Sequence, residues 1–215
     1  MIRQTNGQGL SLTQSNRAIR GLIFDCDGTL ADTMPLHWKA WQAITQRHRI
    51  LFSRERFYAL GGVPSRDILK MLGEEQGLTL DALSVAREKE EEYLNYLSQV
   101  EPVHTIVEIA RVNFGKMPMA VASGGTRAII GKVLEHLGIR QFFQAVVTSE
   151  DVVRQKPAPD IFIEAARRIA VPPECCRAYE DTELGLQAIR AAGIEAVDVR
   201  PLIEPRTKST ANSRE

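Results

Sequence analysis

The chain has 215 residues, 44% of them apolar and 25% charged, with 27 basic side chains against 27 acidic ones. That length suits one generous domain or two modest ones, and the composition is that of a globular protein. A neutral chain has no global field to draw nucleic acid or an anionic membrane, so neither is expected as a partner.

No apolar run approaches the roughly 18 residues that span a bilayer. The opening stretch, MIRQTNGQGLSLTQSN, lacks the apolar core of a signal peptide. Residues 1–17 read as a flexible extension, 205–215 as a flexible tail, and the expected compartment is the cytoplasm. Cys26, Cys175 and Cys176 match no zinc spacing, and an adjacent pair makes poor disulfide geometry. They read as small buried apolar groups.

Along the chain, short apolar runs at Gly21–Phe24, Met117–Ala122, Ala145–Thr148 and Ile194–Val199, with a weaker one at Arg177–Tyr179, suit strands buried on both faces. Helical patterning at Thr126–Leu137, Pro159–Ala170 and Glu183–Ala192 separates the later runs, each ending at a glycine or proline. Strands alternating with helices predict a doubly wound parallel α/β sheet. Between the first two strands the rhythm breaks, and helices are expected over Pro35–Arg49, Arg54–Leu60, Arg66–Leu72 and Leu78–Leu97. The last carries Arg87-Glu-Lys-Glu-Glu-Glu92, which reads as a solvated helix face. The expected organisation is an α/β core over 18–32 and 101–204 with an all-helical cap over 33–100, hinged near Ala31–Thr33 and Ser98–Val103.

Each predicted strand ends in polar residues. Asp25-Cys-Asp27-Gly-Thr29 follows the first, and two aspartates two apart on extended backbone project to one side. A carboxylate can attack phosphorus, and such close acids call for a divalent cation or a proton. Ser123-Gly124-Gly125 follows the second, a turn whose hydroxyl and amides can meet a phosphate. Lys156-Pro157 follows the third and offers a fixed positive charge; Glu180-Asp181 follows the fourth and offers oxygen ligands to a hard ion. Ligands in such sheets sit beyond the carboxyl ends of the strands, so four such turns converge on one crevice.

This set, DxDGT, a serine after the second strand, KPxPD and an acidic pair, resembles the haloacid dehalogenase superfamily over roughly residues 20–200. The inserted helices resemble that family's C1 cap. Asp32-Thr33-Met-Pro-Leu-His37-Trp-Lys-Ala-Trp41 resembles the cap opening of β-phosphoglucomutases and of fructose-1-phosphatase-like enzymes. The resemblance implies that Asp25 is the nucleophile, Asp27 the general acid and base, and Ser123, Gly124 and Lys156 the phosphate binders. It implies Mg²⁺ held by the Asp25 carboxylate, the Asp27 carbonyl and Asp181, with Glu180 acting through water or behind them. Thr33, His37, Ser65, Arg66 and Lys89 are the implied cap and substrate residues, and Trp41 reads as cap packing. The mutases' distal-phosphate arginine falls on Ser65, with Arg66 one residue off, while Lys89 before Tyr93 fits their cap lysine. The expected function is therefore a phosphatase of small sugar phosphates, a monomer without macromolecular partners. A β-phosphoglucomutase is the alternative, and a non-catalytic binding module the remote one.

Overall fold

The computed structural model describes residues 18–203, so the expected N-terminal extension, the tail and position 204 lie outside the described residues. Five strands form one parallel sheet in the order β3-β2-β1-β4-β5, with β1 at Gly21–Phe24, β2 at Met119–Ala122, β3 at Ala145–Val147, β4 at Cys176–Glu180 and β5 at Glu195–Asp198. From β1 the chain goes first to β2 and β3 on one side and then to β4 and β5 on the other. The sheet's switch point therefore lies at the carboxyl end of β1.

Alternation along the strands assigns the two faces. Leu22, Phe24, Met119 and Val121 pack with helices α5 (His104–Asn113) and α6 (Arg127–His136). Ile23, Ala120 and Ala122 pack with α7 (Asp160–Arg168) and α8 (Glu183–Ala191) through Phe162, Ala165 and Ile189. Small alanines on β2 let α7 lie close to the sheet. Both faces are covered, as a parallel sheet requires.

Four helices lie between β1 and β2: α1 (Met34–His48), α2 (Arg54–Ala59), α3 (Ser65–Gln76) and α4 (Ala82–Leu94). They bury an apolar cluster of their own, including Trp41, Ile44, Phe57, Leu69, Leu72 and Val85. The segments leading in and out pair with each other: Asp32 N–H donates to Glu101 and Val103 N–H to Leu30, both at 2.9 Å. Among the described residues no helix is long and apolar enough to cross a membrane. All three cysteines are buried and free.

Several expected bounds need correction. Helix α3 starts at Ser65 and runs to Gln76, where Gly77 at φ 63° supplies the left-handed stop. Helix α4 starts at Ala82 rather than Leu78, because the Asp81 carboxylate accepts from Ser84 N–H at 3.1 Å and caps it. It stops at Leu94, and Leu97–Gln99 form a separate 3₁₀ turn. Helix α5, burying Ile106 and Ala110 one turn apart, was not anticipated at all. On α1, Leu36, Ala40 and Ile44 are buried while Ala43 is half-buried.

Candidate active site

Asp25, the first residue after β1, is buried beneath the helical insertion. Lys156, also buried, donates to Asp25 Oδ1 and to Glu180 Oε2, both at 2.7 Å. A buried ammonium persists only when paired this way. Burial would lower the Lys156 amine, but the two carboxylates outweigh it and hold it well above its usual range. One cation does not neutralise this cluster. Burial and the neighbouring Glu180 push the Asp25 carboxyl well up despite Lys156, and the same two causes raise Asp181 to about 7.

Asp25, Glu180 and Asp181 bring carboxylate oxygens within 4.8 Å of one another. The second oxygen of Glu180 is occupied, accepting from Thr182 N–H at 2.9 Å and the Thr182 hydroxyl at 2.7 Å. Asp181 is aimed by the Thr29 hydroxyl, which donates to Oδ1 at 2.9 Å. Two glycines make this crowding possible. A Cβ at Gly28, whose φ is 89°, would collide with the Asp181 carboxylate, and one at Gly185 with the Glu180 carboxylate. The set is all oxygen and carries excess negative charge, which fits a hard divalent cation held by Asp25 and Asp181 with Glu180 behind them. Asp27 is not in this carboxylate cluster, because its side chain turns towards the inserted helices.

Asp27 Oδ1 accepts from the Thr33 hydroxyl at 2.7 Å and lies 3.1 Å from His37 Nε2. Its Oδ2 faces the Ser123 hydroxyl at 3.4 Å. Thr33 occupies the N-cap of α1 yet makes no side-chain cap bond, since its hydroxyl is committed to Asp27. Lys89, buried on α4, meets His37 Nδ1 at 2.9 Å, and Tyr93 stacks on the His37 ring at 3.9 Å. Burial would raise the Asp27 carboxyl, but the His37 ring, the Thr33 hydroxyl and the Lys89 charge prevail and hold it at about 2.

Asp25, Asp27, Ser123 and Gly124 line a cavity of about 480 Å³ closed over by the inserted helices. Of the cap residues expected from sequence, His37, Ser65, Arg66 and Lys89 line it, and Thr33 sits behind Asp27. Trp41 also lines it while packing in the helical cluster, and Lys89 Nζ lies 5.8 Å over its ring. Arg66 is solvent-exposed and bonded to Asp67 at 3.0 Å. The loop at Gly61 and Gly62 closes onto the core. Gly62 packs over the Lys156 stem and Thr182, and a Cβ at Gly124 would strike the Gly62 carbonyl.

Sequence reasoning assigned no role to Thr29, although the DGT triplet contained it. Thr182 caps α8, its hydroxyl accepting from Gly185 N–H at 3.1 Å. In sequence Glu90 reads as part of a solvated charge run, and only the helical phase of Lys89 and Tyr93 singles it out.

The chain is similar to known proteins over most of its length. The haloacid dehalogenase-like hydrolase family matches residues 19–193. The chain is 42% identical to fructose-1-phosphate phosphatase YqaB of Escherichia coli (strain K12), over 85% of this chain and 97% of that one. It is 30% identical to β-phosphoglucomutase of Bacillus subtilis (strain 168), over 84% of this chain and 83% of that one. The crystal structure of β-phosphoglucomutase from Clostridium difficile is similar with a TM-score of 0.75 at 25% identity, covering 84% of each chain.

Proposed function

The chain belongs to the haloacid dehalogenase-like hydrolase family, and from that premise we propose that it is a Mg²⁺-dependent phosphatase of small sugar phosphates whose nucleophile is Asp25. The observation that carries the reading is Lys156 bridging Asp25 and Glu180 at 2.7 Å beside Asp181, with Asp27 two residues from the nucleophile and facing the same cavity.

Lys156 works against the burial and the Glu180 charge that push the Asp25 carboxyl up, and it fixes one of the Asp25 oxygens, which leaves the other to attack phosphorus. Ser123, the Gly124 amide and Lys156 receive the phosphoryl oxygens. Asp25 and Asp181, with the Asp27 carbonyl, would hold Mg²⁺, which when bound would supply positive charge at the phosphoryl site. Asp27 protonates the leaving oxygen and then takes a proton from the attacking water. Held at about 2 in the free site, it is set as a base; a phosphate dianion arriving beside it raises that value and lets it serve first as the acid. His37, Thr33 and Lys89 hold it for both steps. The helices of residues 33–100 act as the cap, hinged where the linkers pair, and exclude bulk water when closed.

A mutase differs only in using a sugar hydroxyl as second nucleophile, and the similarity to a named β-phosphoglucomutase keeps that reading in view. Against it, Ser65 stands where the resemblance puts the distal-phosphate arginine, and Arg66 is exposed and bonded to Asp67. Phosphate release from a panel of sugar phosphates, run beside a β-glucose 1-phosphate isomerisation assay, decides between them. Release from ketose and hexose monophosphates without isomerisation supports the phosphatase. Isomerisation outpacing release overturns it.

A further inference from the structure

Helix α4 brings Glu90 and Glu91 of its acidic run to the cavity wall, and Glu90 is the more buried of the two. Ala86, Lys89, Glu90 and Tyr93 recur at helical spacing on one side. Ala86, Lys89 and Tyr93 are buried, and the Glu90 side chain is 20% exposed, whereas Arg87 and Glu91 border the cavity as exposed residues. Ser65, at the start of α3, donates its hydroxyl to Glu90 Oε1 at 2.8 Å. The Lys89 ammonium reaches the same oxygen at 3.3 Å. Oε2 accepts no hydrogen bond among the described residues. Glu90 lines the cavity that also holds Asp25, Asp27 and Ser123.

A partly buried carboxylate with one oxygen fixed and the other open is a costly arrangement for packing alone. It suits a ligand that brings hydroxyl donors. We infer that Glu90 is a specificity-determining residue, whose open oxygen accepts hydrogen bonds from the hydroxyls of a polyol phosphate monoester and whose charge disfavours a second phosphate at that end. The inference rests on the phosphatase reading above. Arg66 and Arg87 border the same cavity, but both are exposed, and Arg66 already pairs with Asp67. Solvent screens their charges more than that of Glu90. The polar end of the cavity therefore reads a neutral, hydroxyl-bearing tail, and Ser65 acts as a positioning residue that holds Glu90 in place.

The test compares kcat/KM for fructose 1-phosphate, fructose 1,6-bisphosphate and p-nitrophenyl phosphate in the wild type, Glu90→Gln and Ser65→Ala. Glu90→Gln is expected to lose about tenfold or more on fructose 1-phosphate beyond any loss on p-nitrophenyl phosphate, because the unpaired hydroxyls forfeit a charged acceptor. Its preference for the monophosphate over the bisphosphate should shrink by a similar factor, and Ser65→Ala should move both ratios the same way by less. Should Glu90→Gln fail to fold, Ser65→Ala carries the comparison. Equal losses on all three esters, or unchanged ratios, overturn the inference while the phosphatase reading stands. A wild type that releases no phosphate from any of the three overturns the reading itself, and the inference with it.

Discussion

Lys89 Nζ lies 2.9 Å from Nδ1 of His37. An ammonium has no acceptor site, so Nδ1 is the atom that faces the Lys89 donor, and Nε2 is left aimed at Asp27 3.1 Å away. A cap residue therefore orients the ring of a second cap residue that holds a core carboxylate. Lys89→Met or His37→Gln should remove part of what keeps Asp27 at about 2. The carboxyl then rises, and the acid limb of the pH–kcat profile should shift to higher pH, with kcat down roughly 10- to 100-fold. Initial rates between pH 4 and 9 check this; an acid limb that stays in place contradicts it.

The acidic cluster makes the metal-free protein respond to pH in an unusual direction. Asp181 is raised from 3.8 to about 7, and Asp25 is raised too. Between those two values the folded state binds more protons than the unfolded chain, so stability falls as pH rises through that window. The metal-free melting temperature should therefore be lower at pH 7.5 than a carboxylate-neutral variant, Asp181→Asn, would show. Millimolar Mg²⁺ should raise the wild-type melting temperature at pH 7.5 and much less at pH 5, where binding must displace protons. Differential scanning calorimetry at both pH values reads this out.

Closure depends on two glycines meeting. A Cβ at Gly124 would strike the Gly62 carbonyl, while the Gly124 amide would be unaffected. Gly124→Ala should leave the melting temperature nearly unchanged but hold the cap away from the core. The expected cost in kcat/KM is about tenfold or more, since small misplacements at a closing site are expensive. Activity and thermal melting measured side by side separate this from simple destabilisation.

Asp151 ties the loop before Lys156 to two helices. Its carboxylate accepts from Arg168 at 2.7 Å, Arg127 at 2.6 Å, and the Thr148 amide and hydroxyl at 2.8 and 2.9 Å. Burial would raise this carboxyl, but those bonds prevail and hold it well below the usual range. Its contribution is present above the ordinary carboxylate range and lost as pH falls through and below it. Asp151→Asn should cost about 2 kcal/mol in urea unfolding at pH 7, a gap that narrows under acid conditions.

Much of this was legible because parallel strands announce themselves as short apolar runs ending in chemistry. Gly21–Phe24 needed no correction, Asp25, Ser123 and Lys156 each follow a strand, and Glu180 ends one. The limits were tertiary. Helix α5 buries mainly Ile106 and Ala110, too thin a stripe to stand out beside half-buried Val107 and Ile109. The pairing of Lys89 with His37 joins residues 52 apart in sequence, which no local spacing encodes. Glu90 differs from Glu91 only in helical phase, and the phase mattered only once α3 and its Ser65 were in place.

The most direct measurement is Mg²⁺-dependent phosphate release by Asp25→Asn beside the wild type, with intact-mass analysis of enzyme quenched in acid during turnover. The wild type should release phosphate and carry one transient phosphoryl group. The variant should do neither, while melting at or above the wild-type temperature, since a buried negative charge has gone. Unchanged phosphate release by Asp25→Asn would contradict the account at its centre.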